Sequence, residues 1–168
     1  MVFVILLAIV ILVGVDQWFK HLAVVYLSDG VPKDLIKFGD FDVLGLRYCE
    51  NTGAAFSSFS GQRWLLIGVT AIMLILSAIY LFKMKDRHPM AVTSFTMFIA
   101  GGIGNLIDRI ANGYVVDYLE VRMFRFAIFN FADILVVCGV AMYIVYLLFI
   151  EGRKSDKTEN GSAEDGAS

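Results

Sequence analysis

Residues 90–109 read MAVTSFTMFIAGGIGNLIDR, an apolar run with closely spaced glycines that ends in polar and charged side chains. Its uncharged part is close to the length that crosses a bilayer core of about 30 Å as a helix rising about 1.5 Å per residue. Ionisable groups at membrane depth are costly, so each one marks a candidate functional site. The stretch therefore predicts a membrane-spanning helix whose last turn belongs to such a site.

Three further runs share this apolar character: Val2 to Val15, Trp64 to Phe82 and Phe131 to Ile150. With 58% hydrophobic residues, the chain is too apolar for a soluble domain of its size. The first run continues past Asp16 and Lys20 to Tyr26, with no basic residues before it and no cleavage site of small residues behind it. We therefore expect a retained helix of about 24–26 residues rather than a cleaved signal peptide. The predicted fold class is an all-α membrane protein with four transmembrane helices.

Basic residues predict the orientation of these helices. Lys83, Lys85 and Arg87 lie in the short link between the second and third runs, and Arg153 and Lys154 follow the fourth. Because basic residues near membrane ends favour the cytoplasmic side, we expect both termini in the cytoplasm and the links 27–63 and 108–130 outside. This topology gathers the unusual polar residues in one outer layer: Asp16, Lys20, Asn51, Asn105, Asp108, Arg109, Asn130 and Asp133.

Two regions outside the helices have their own character. Residues 35–50 alternate between apolar and polar, with Gly39-Asp40 as turn residues, which predicts a small extracytoplasmic β hairpin or sheet. Residues 151–168 are rich in Ser, Gly and charge, which predicts a disordered cytoplasmic tail after a membrane domain of residues 1–150. The tail holds five acids and three bases, which accounts for the net charge of −2. The chain therefore lacks the basic surface that nucleic acid requires.

Cysteine and histidine give little sign of metal chemistry. Cys49 and Cys138 are far apart, and Cys138 falls within the last apolar run, where we expect a reduced, packed thiol. The two histidines, His21 and His88, are too few for a zinc site.

Four constellations could carry chemistry. Asp16 and Lys20 lie four residues apart on one helical face, either as a functional brace or as an anchoring ion pair at the interface. The run from Asn51 to Ser57 is an Asn followed mainly by small residues, which permits close backbone approach, although such an Asn is often only a helix cap. Gly101, Asn105 and either Asp108 or Arg109 share a face of the third helix, and Arg109 suits a carboxylate or a lipid phosphate.

The last constellation consists of two acids, Asp117 and Asp133, with Asn130 on the face of Asp133. Two carboxylates close together in a poorly hydrated place hold one proton between them near neutral pH, which supplies an acid and a base at once. Such a pair can activate water against a peptide carbonyl. The alternatives are that each Asp caps a helix, that Asp117 pairs with Arg109 or Arg122, or that the three residues hold a metal ion.

These blocks resemble the bacterial lipoprotein (type II) signal peptidases, intramembrane aspartic proteases with four transmembrane helices. The resemblance covers residues 1–150 through five ordered motifs. They are Asp16-Gln17 with Lys20, Asn51-Thr52-Gly53-Ala54-Ala55-Phe56, Gly101 to Arg109, Val115-Val116-Asp117, and Phe129-Asn130-Phe131-Ala132-Asp133. Tyr118 departs from the family, in which Phe is frequent at this position.

The resemblance implies roles for individual residues. Asp117 and Asp133 would be the catalytic dyad, and Asp108 would be structural. Eight residues would bind substrate or brace the site: Asp16, Lys20, Asn51, Gly101, Asn105, Arg109, Asn130 and Ala132. The hairpin at about 35–50 would be an extracytoplasmic β cradle.

The resemblance also implies the substrate and the setting. The substrate would be a prolipoprotein, cleaved on the amino side of a diacylglyceryl-modified cysteine at the outer face of the bacterial cytoplasmic membrane. The enzyme would be a monomer among membrane phospholipids, with no metal, cofactor or nucleic acid. Two alternative functions are a small proton-coupled transporter and a structural protein that binds lipid through Lys20 and Arg109.

Overall fold

A computed structural model describes residues 1–39, 41–53, 61–85, 87–124 and 126–151. The elements in chain order are α1 (Val2–Leu27), β1 (Lys33–Phe38), β2 (Phe41–Asn51), α2 (Arg63–Lys83), α3 (Pro89–Ala111), β3 (Val115–Val121) and α4 (Phe131–Tyr146), and α4 continues as a π-helical segment, Leu147–Glu151. The predicted tail beyond residue 151, Asp40 of the predicted turn and residues 54–57 of the small-residue run lie outside the described residues.

The four predicted membrane spans are confirmed. Each of α1, α2, α3 and α4 with its π-helical segment is long and apolar enough to cross a bilayer. The first helix runs unbroken through Asp16 and Lys20 to Leu27, one residue beyond the predicted end. The fourth differs from the prediction of one regular helix to Ile150, because its α-helical hydrogen bonding ends at Tyr146.

The third helix is central, and its small residues explain why. It packs against α1, α2 and α4. A Cβ added to Gly101 would overlap the carbonyl oxygen of Ala132 in α4, and one added to Gly104 would overlap the carboxylate of Asp16 in α1. Small residues at such positions let helix backbones approach closely in a membrane. The glycines therefore bring α1 and α4 onto one face of α3.

The strands form one antiparallel sheet in the order β1-β2-β3. The predicted hairpin corresponds to β1 and β2, whereas β3 was not predicted. The first four residues of β3 are all buried, so its sequence lacks the apolar–polar alternation that reveals a half-buried strand. Val116 and Tyr118 of β3 pack against Ala23 and Leu27 near the end of α1, which seats the sheet at that end of the bundle.

Much of the helix surface is exposed and apolar, as a lipid-facing surface requires. Phe3 and Val10 of α1, Ile72 of α2 and Val137 of α4 are examples. The prediction that Cys138 is a packed thiol is wrong: Cys138 is a free, exposed cysteine on α4. An apolar run alone does not reveal which of its faces is turned outward.

Candidate active site

Asp117 and Asp133 line one cavity although they come from different elements. Asp117 lies on β3, and Asp133 lies in the first turn of α4. The cavity has a volume of about 490 Å³, and Asn51, Asn105 and Arg109 also line it. The predicted convergence of the two acids is therefore present in the tertiary structure.

Both carboxylate oxygens of Asp117 accept hydrogen bonds from asparagine side chains. Asn51 Nδ2 donates to Asp117 Oδ2 at 2.9 Å, and Asn130 Nδ2 donates to Asp117 Oδ1 at 2.7 Å. The residue is only 1% exposed. Burial, followed by the nearby charge of Asp133, raises the pKa of Asp117 to about 7, although the two asparagines oppose this shift. Asp117 therefore holds a proton over much of the pH range below neutrality.

Asp133 is held at both oxygens as well. Asn105 Nδ2 donates to Asp133 Oδ1 at 2.8 Å, and the backbone N–H of Asn130 donates to Asp133 Oδ2 at 3.1 Å. In return, the backbone N–H of Asp133 donates to Asn130 Oδ1 at 2.9 Å, which completes a capping box at the start of α4. One alternative interpretation of each Asp was that it caps a helix, and Asp133 does so. The same capping hydrogen bonds fix the orientation of its carboxylate.

A buried ion cluster fixes the amide of Asn105. Lys20 Nζ lies 2.9 Å from Asp16 Oδ2, 3.1 Å from Asp108 Oδ2 and 2.9 Å from Asn105 Oδ1. An ammonium group only donates, so it must face the amide oxygen of Asn105 and thereby turns the amide nitrogen toward Asp133. Asp16 and Lys20 are thus a deeply buried brace (0% and 3% exposed) and not an interfacial anchor.

The two acids of this cluster join the site to neighbouring elements. Asp16 Oδ1 accepts the backbone N–H of Ala132 at 2.9 Å, which ties α1 to the first turn of α4. Asp108 Oδ2 accepts the backbone N–H of Val116 at 3.0 Å, which ties α3 to the strand that carries Asp117. The structural role expected for Asp108 fits this contact.

Gln17 is a brace that the predicted site residues did not include. Its Nε2 lies within hydrogen-bonding distance of the oxygens of three residues: Asp16 at 3.2 Å, Gly104 at 3.2 Å and Asp108 at 3.1 Å. Its position beside Asp16 was the only sequence signal for this role. The side chain adds a second link between α1 and α3.

Asn51 does not cap α2, because it ends β2 and the residue before α2 is Gln62. Its side-chain oxygen instead accepts the backbone N–H of Gly53 at 3.0 Å, which leaves the amide nitrogen for Asp117. The β2–β3 pairing, with Asn51 opposite Val115 and Cys49 opposite Asp117, brings the two strands together at this point.

Arg109 lies at the edge of the cavity. Its Nη2 donates to the carbonyl oxygen of Gly53 at 3.0 Å, and its buried Nε has no hydrogen-bond partner among the described residues. Arg63, at the start of α2, donates to the Arg109 carbonyl oxygen at 2.7 Å. Arg122 pairs with Asp34 and Glu120. Asp117 instead accepts its side-chain hydrogen bonds from the two asparagines, Asn51 and Asn130.

The metal alternative finds no support in the donor geometry. Asn130 turns its amide nitrogen, not its oxygen, toward Asp117. Within the described ranges, no group of three His, Cys, Asp or Glu residues is placed to hold a metal ion.

The chain matches the family model described as signal peptidase (SPase) II over residues 8–149. It is 39% identical over 142 residues to a lipoprotein signal peptidase of Lactococcus lactis subsp. cremoris (83% of this chain and 91% of that protein). It is 37% identical over 155 residues to a lipoprotein signal peptidase of Streptococcus thermophilus (92% and 94%).

The fold is similar to that of solved bacterial membrane enzymes. One structure, obtained by the in meso method, superposes with a TM-score of 0.81 at 28% sequence identity, over 88% of this chain and 89% of that chain. A second gives a TM-score of 0.79 at 28% identity, over 89% and 96%. The similarity therefore extends over nearly the whole membrane domain.

Proposed function

Because this chain belongs to the signal peptidase II family, whose members are aspartic peptidases, we propose that Asp117 and Asp133 are its catalytic dyad. The activity is the removal of signal peptides from prolipoproteins. One observation carries the assignment of the dyad: two acids from separate elements, each held at both oxygens, line the same cavity.

The dyad works by sharing one proton. The raised pKa of Asp117, about 7, keeps a proton on the pair near neutral pH. The unprotonated carboxylate accepts a proton from a water molecule, which attacks the scissile carbonyl carbon, while the protonated carboxyl donates to the carbonyl oxygen. The resulting tetrahedral diol then collapses: the carbon–nitrogen bond breaks, and the amine leaves with the proton that the first carboxylate took from water. One hydroxyl proton of the diol returns to the other carboxylate, which restores the dyad. Such a mechanism needs no metal ion, so chelation should leave the activity intact.

The residues around the dyad are proposed to position it and the substrate. Asn105 and Asn130 orient the carboxylates, and Lys20 orients Asn105. The Nε of Arg109, which has no hydrogen-bond partner in the part of the chain that the structure describes, is a donor for a peptide carbonyl of the substrate. Gly101 and Ala132 keep α3 and α4 close enough for these contacts, since a side chain at Gly101 would overlap the Ala132 carbonyl.

The cavity walls fit a lipid-modified substrate. Apart from its polar end, the cavity is lined by apolar residues such as Phe126, Phe129 and Val137. Val137 is also exposed on the outer surface of α4, so the cavity extends toward the side of the bundle that lipid covers. The diacylglyceryl chains of the substrate cysteine would stay in lipid while the peptide reaches the dyad, and cleavage would fall on the amino side of that cysteine.

We further propose that the dyad lies toward the outer face of the cytoplasmic membrane, with both termini inside. The basic residues Lys83, at the end of α2, and Lys85, in the link that follows, support this orientation. The test uses a variant without Cys49 and Cys138, into which Lys37→Cys or Lys85→Cys is introduced. In intact cells, a membrane-impermeant maleimide should label position 37 only. Labelling of position 85 alone would invert the proposed topology.

The catalytic assignment is tested with purified full-length protein in detergent and a diacylglyceryl-modified precursor peptide. Mass analysis follows the loss of the signal peptide. Asp117→Asn and Asp133→Asn should each lower kcat by at least about 10²–10⁴-fold, the usual contribution of a general acid or base. Asp29→Asn is the control, because Asp29 is exposed and its side-chain oxygen accepts the Val31 N–H, which Asn can also do. Unimpaired cleavage by either dyad variant would refute the assignment.

A further inference from the structure

A second recess lies deeper in the bundle than the dyad, between α2, α3 and α4. It has a volume of about 200 Å³ and is lined mainly by apolar atoms, including those of Met73 on α2, Phe98 on α3 and Val140 on α4. Ser77 also lines it and lies fourteen residues along α2 from Arg63, which is roughly 20 Å at about 1.5 Å per residue. Because Arg63 contacts the Arg109 backbone, the recess belongs to the opposite half of the bundle from the active site.

A pair of tyrosines stands at one end of this inner recess. Tyr143 lines the recess, and its hydroxyl lies 2.8 Å from that of Tyr80. Tyr80 follows Ser77 by three residues, so the pair lies about one helical turn closer to the end of α2. A bond between two hydroxyls uses only one of their two protons. The other proton can be donated to an acceptor such as an ester carbonyl.

Positive charge follows one turn further on. Lys83 is the last residue of α2, and Lys85 and Arg87 lie in the link to α3. The sequence places one acid, Asp86, between them, so residues 83–87 carry a net charge of +2 from three cations and one acid. Both lysines are exposed. Glu151, the last described residue of the π-helical segment after α4, is a further acid at this end of the bundle. From the bundle interior outward, the surface therefore changes from apolar, to hydroxyl-bearing, to positively charged.

We propose that the inner recess binds one phospholipid with an anionic headgroup. An acyl chain lies along Met73 and Ser77, a glycerol ester accepts from the Tyr80–Tyr143 pair, and the phosphate lies near Lys83 and Lys85. Met73 and Lys83 are ten residues apart, or about 15 Å along the helix, which suits the distance from the upper acyl chain to a phosphate. The α2, α3 and α4 helices are each long and apolar enough to span a membrane, so hydrocarbon surrounds the recess. The adjoining charge selects an anionic lipid over a neutral one.

The test uses delipidated full-length protein in detergent, titrated with phosphatidylglycerol or phosphatidylcholine. Native mass spectrometry counts bound lipids, and the thermal unfolding midpoint reports stabilisation by binding. One phosphatidylglycerol should bind at least about tenfold more tightly than phosphatidylcholine, because the cations near the headgroup attract its negative charge. Soluble glycerol phosphate should not compete, because it lacks the acyl chain.

Two variants separate the charge from the recess. Lys83→Gln with Lys85→Gln should remove the preference for phosphatidylglycerol, and Ser77→Phe should weaken binding of both lipids at least about tenfold by filling the recess. If Ser77→Phe fails to fold, Tyr80→Phe serves instead and should weaken binding severalfold, because it retains the ring and loses the hydroxyl. Lys33→Gln with Lys37→Gln removes two exposed lysines near the sheet and should change nothing.

Equal binding of the two lipids would overturn the proposal. So would a control variant that loses as much preference for phosphatidylglycerol as the Lys83 and Lys85 variant does. Unchanged lipid binding by Ser77→Phe, or by Tyr80→Phe if Ser77→Phe does not fold, would also overturn it. It is also overturned if the recess is covered by a second copy of the chain, which native mass spectrometry would reveal as a dimer. None of these measurements uses peptidase activity, so they do not depend on the proposed dyad.

Discussion

Replacement of Lys20 by Met should damage both the stability and the chemistry of this enzyme. The ammonium group is 3% exposed and lies within 3.1 Å of Asp16, Asp108 and Asn105. Its removal leaves two buried carboxylates without their cation, a change that typically costs about 3–5 kcal/mol. It also removes the donor that dictates the orientation of the Asn105 amide, so Asp133 loses a fixed partner.

The stability loss is measured by chemical unfolding in detergent, and kcat is measured with the diacylglyceryl peptide. Lys20→Met should lower the free energy of unfolding by about 3–5 kcal/mol and kcat by about 10²-fold, the usual effect of a misplaced catalytic group. Adding Asp16→Asn should recover part of the stability but not kcat, since Asn105 stays unoriented.

Lys37→Met is the matched control for Lys20→Met. Lys37 forms an exposed ion pair with Asp42 at 3.2 Å, and such pairs contribute about 0–1 kcal/mol. If Lys20→Met cost no more stability than this control and kept its kcat, the buried cluster would not hold the dyad as reasoned here.

Three further predictions concern the proton, the helix packing and the metal. Cleavage should decline above about pH 7, by about tenfold per unit, because Asp117 then loses the proton that the dyad needs. Asn51→Ala should move this decline to higher pH, since the Asn51 hydrogen bond favours the charged carboxylate; a shift to lower pH would contradict the reasoning. Gly104→Ala should destabilise the protein by about 1–3 kcal/mol through overlap with Asp16. Gly68→Ala should not, because no atom of the described residues lies within 4 Å of the Cβ that it adds. Equal unfolding energies for the two variants would refute the close packing. EDTA should leave the cleavage rate unchanged, and a loss restored by a divalent cation would favour a metal mechanism.

The helices and the grouping of polar residues could be predicted from local pattern. An uninterrupted apolar run must find a hydrocarbon environment, which is why α1, α2, α3 and α4 were all located within a few residues. The i, i+4 spacing of Asp16 and Lys20 correctly placed the two side chains together. Neither inference requires knowledge of any other part of the chain.

The third strand could not be predicted in the same way. The first four residues of the segment from Val115 to Val121 are buried on both faces of the strand. The extended conformation of this segment depends on pairing with β2, which lies more than sixty residues earlier in the chain. The role of Asn51 was obscure for the same reason, because the side chain bonds Asp117 across that pairing. Gln17 likewise acquires its partners only when α1 packs on α3.

By itself, the order of residues determined a four-span membrane protein with its buried polar groups near one end of the helices. Hydrophobicity and helical spacing are local properties, so they can be predicted from the sequence alone. Only the packed structure decided which polar groups meet: Asp117 with Asn51 and Asn130, and Asp133 with Asn105. Hydrogen bonds act over about 3 Å, and the close approach of α1, α3 and α4 at small residues is what brings distant side chains within that range.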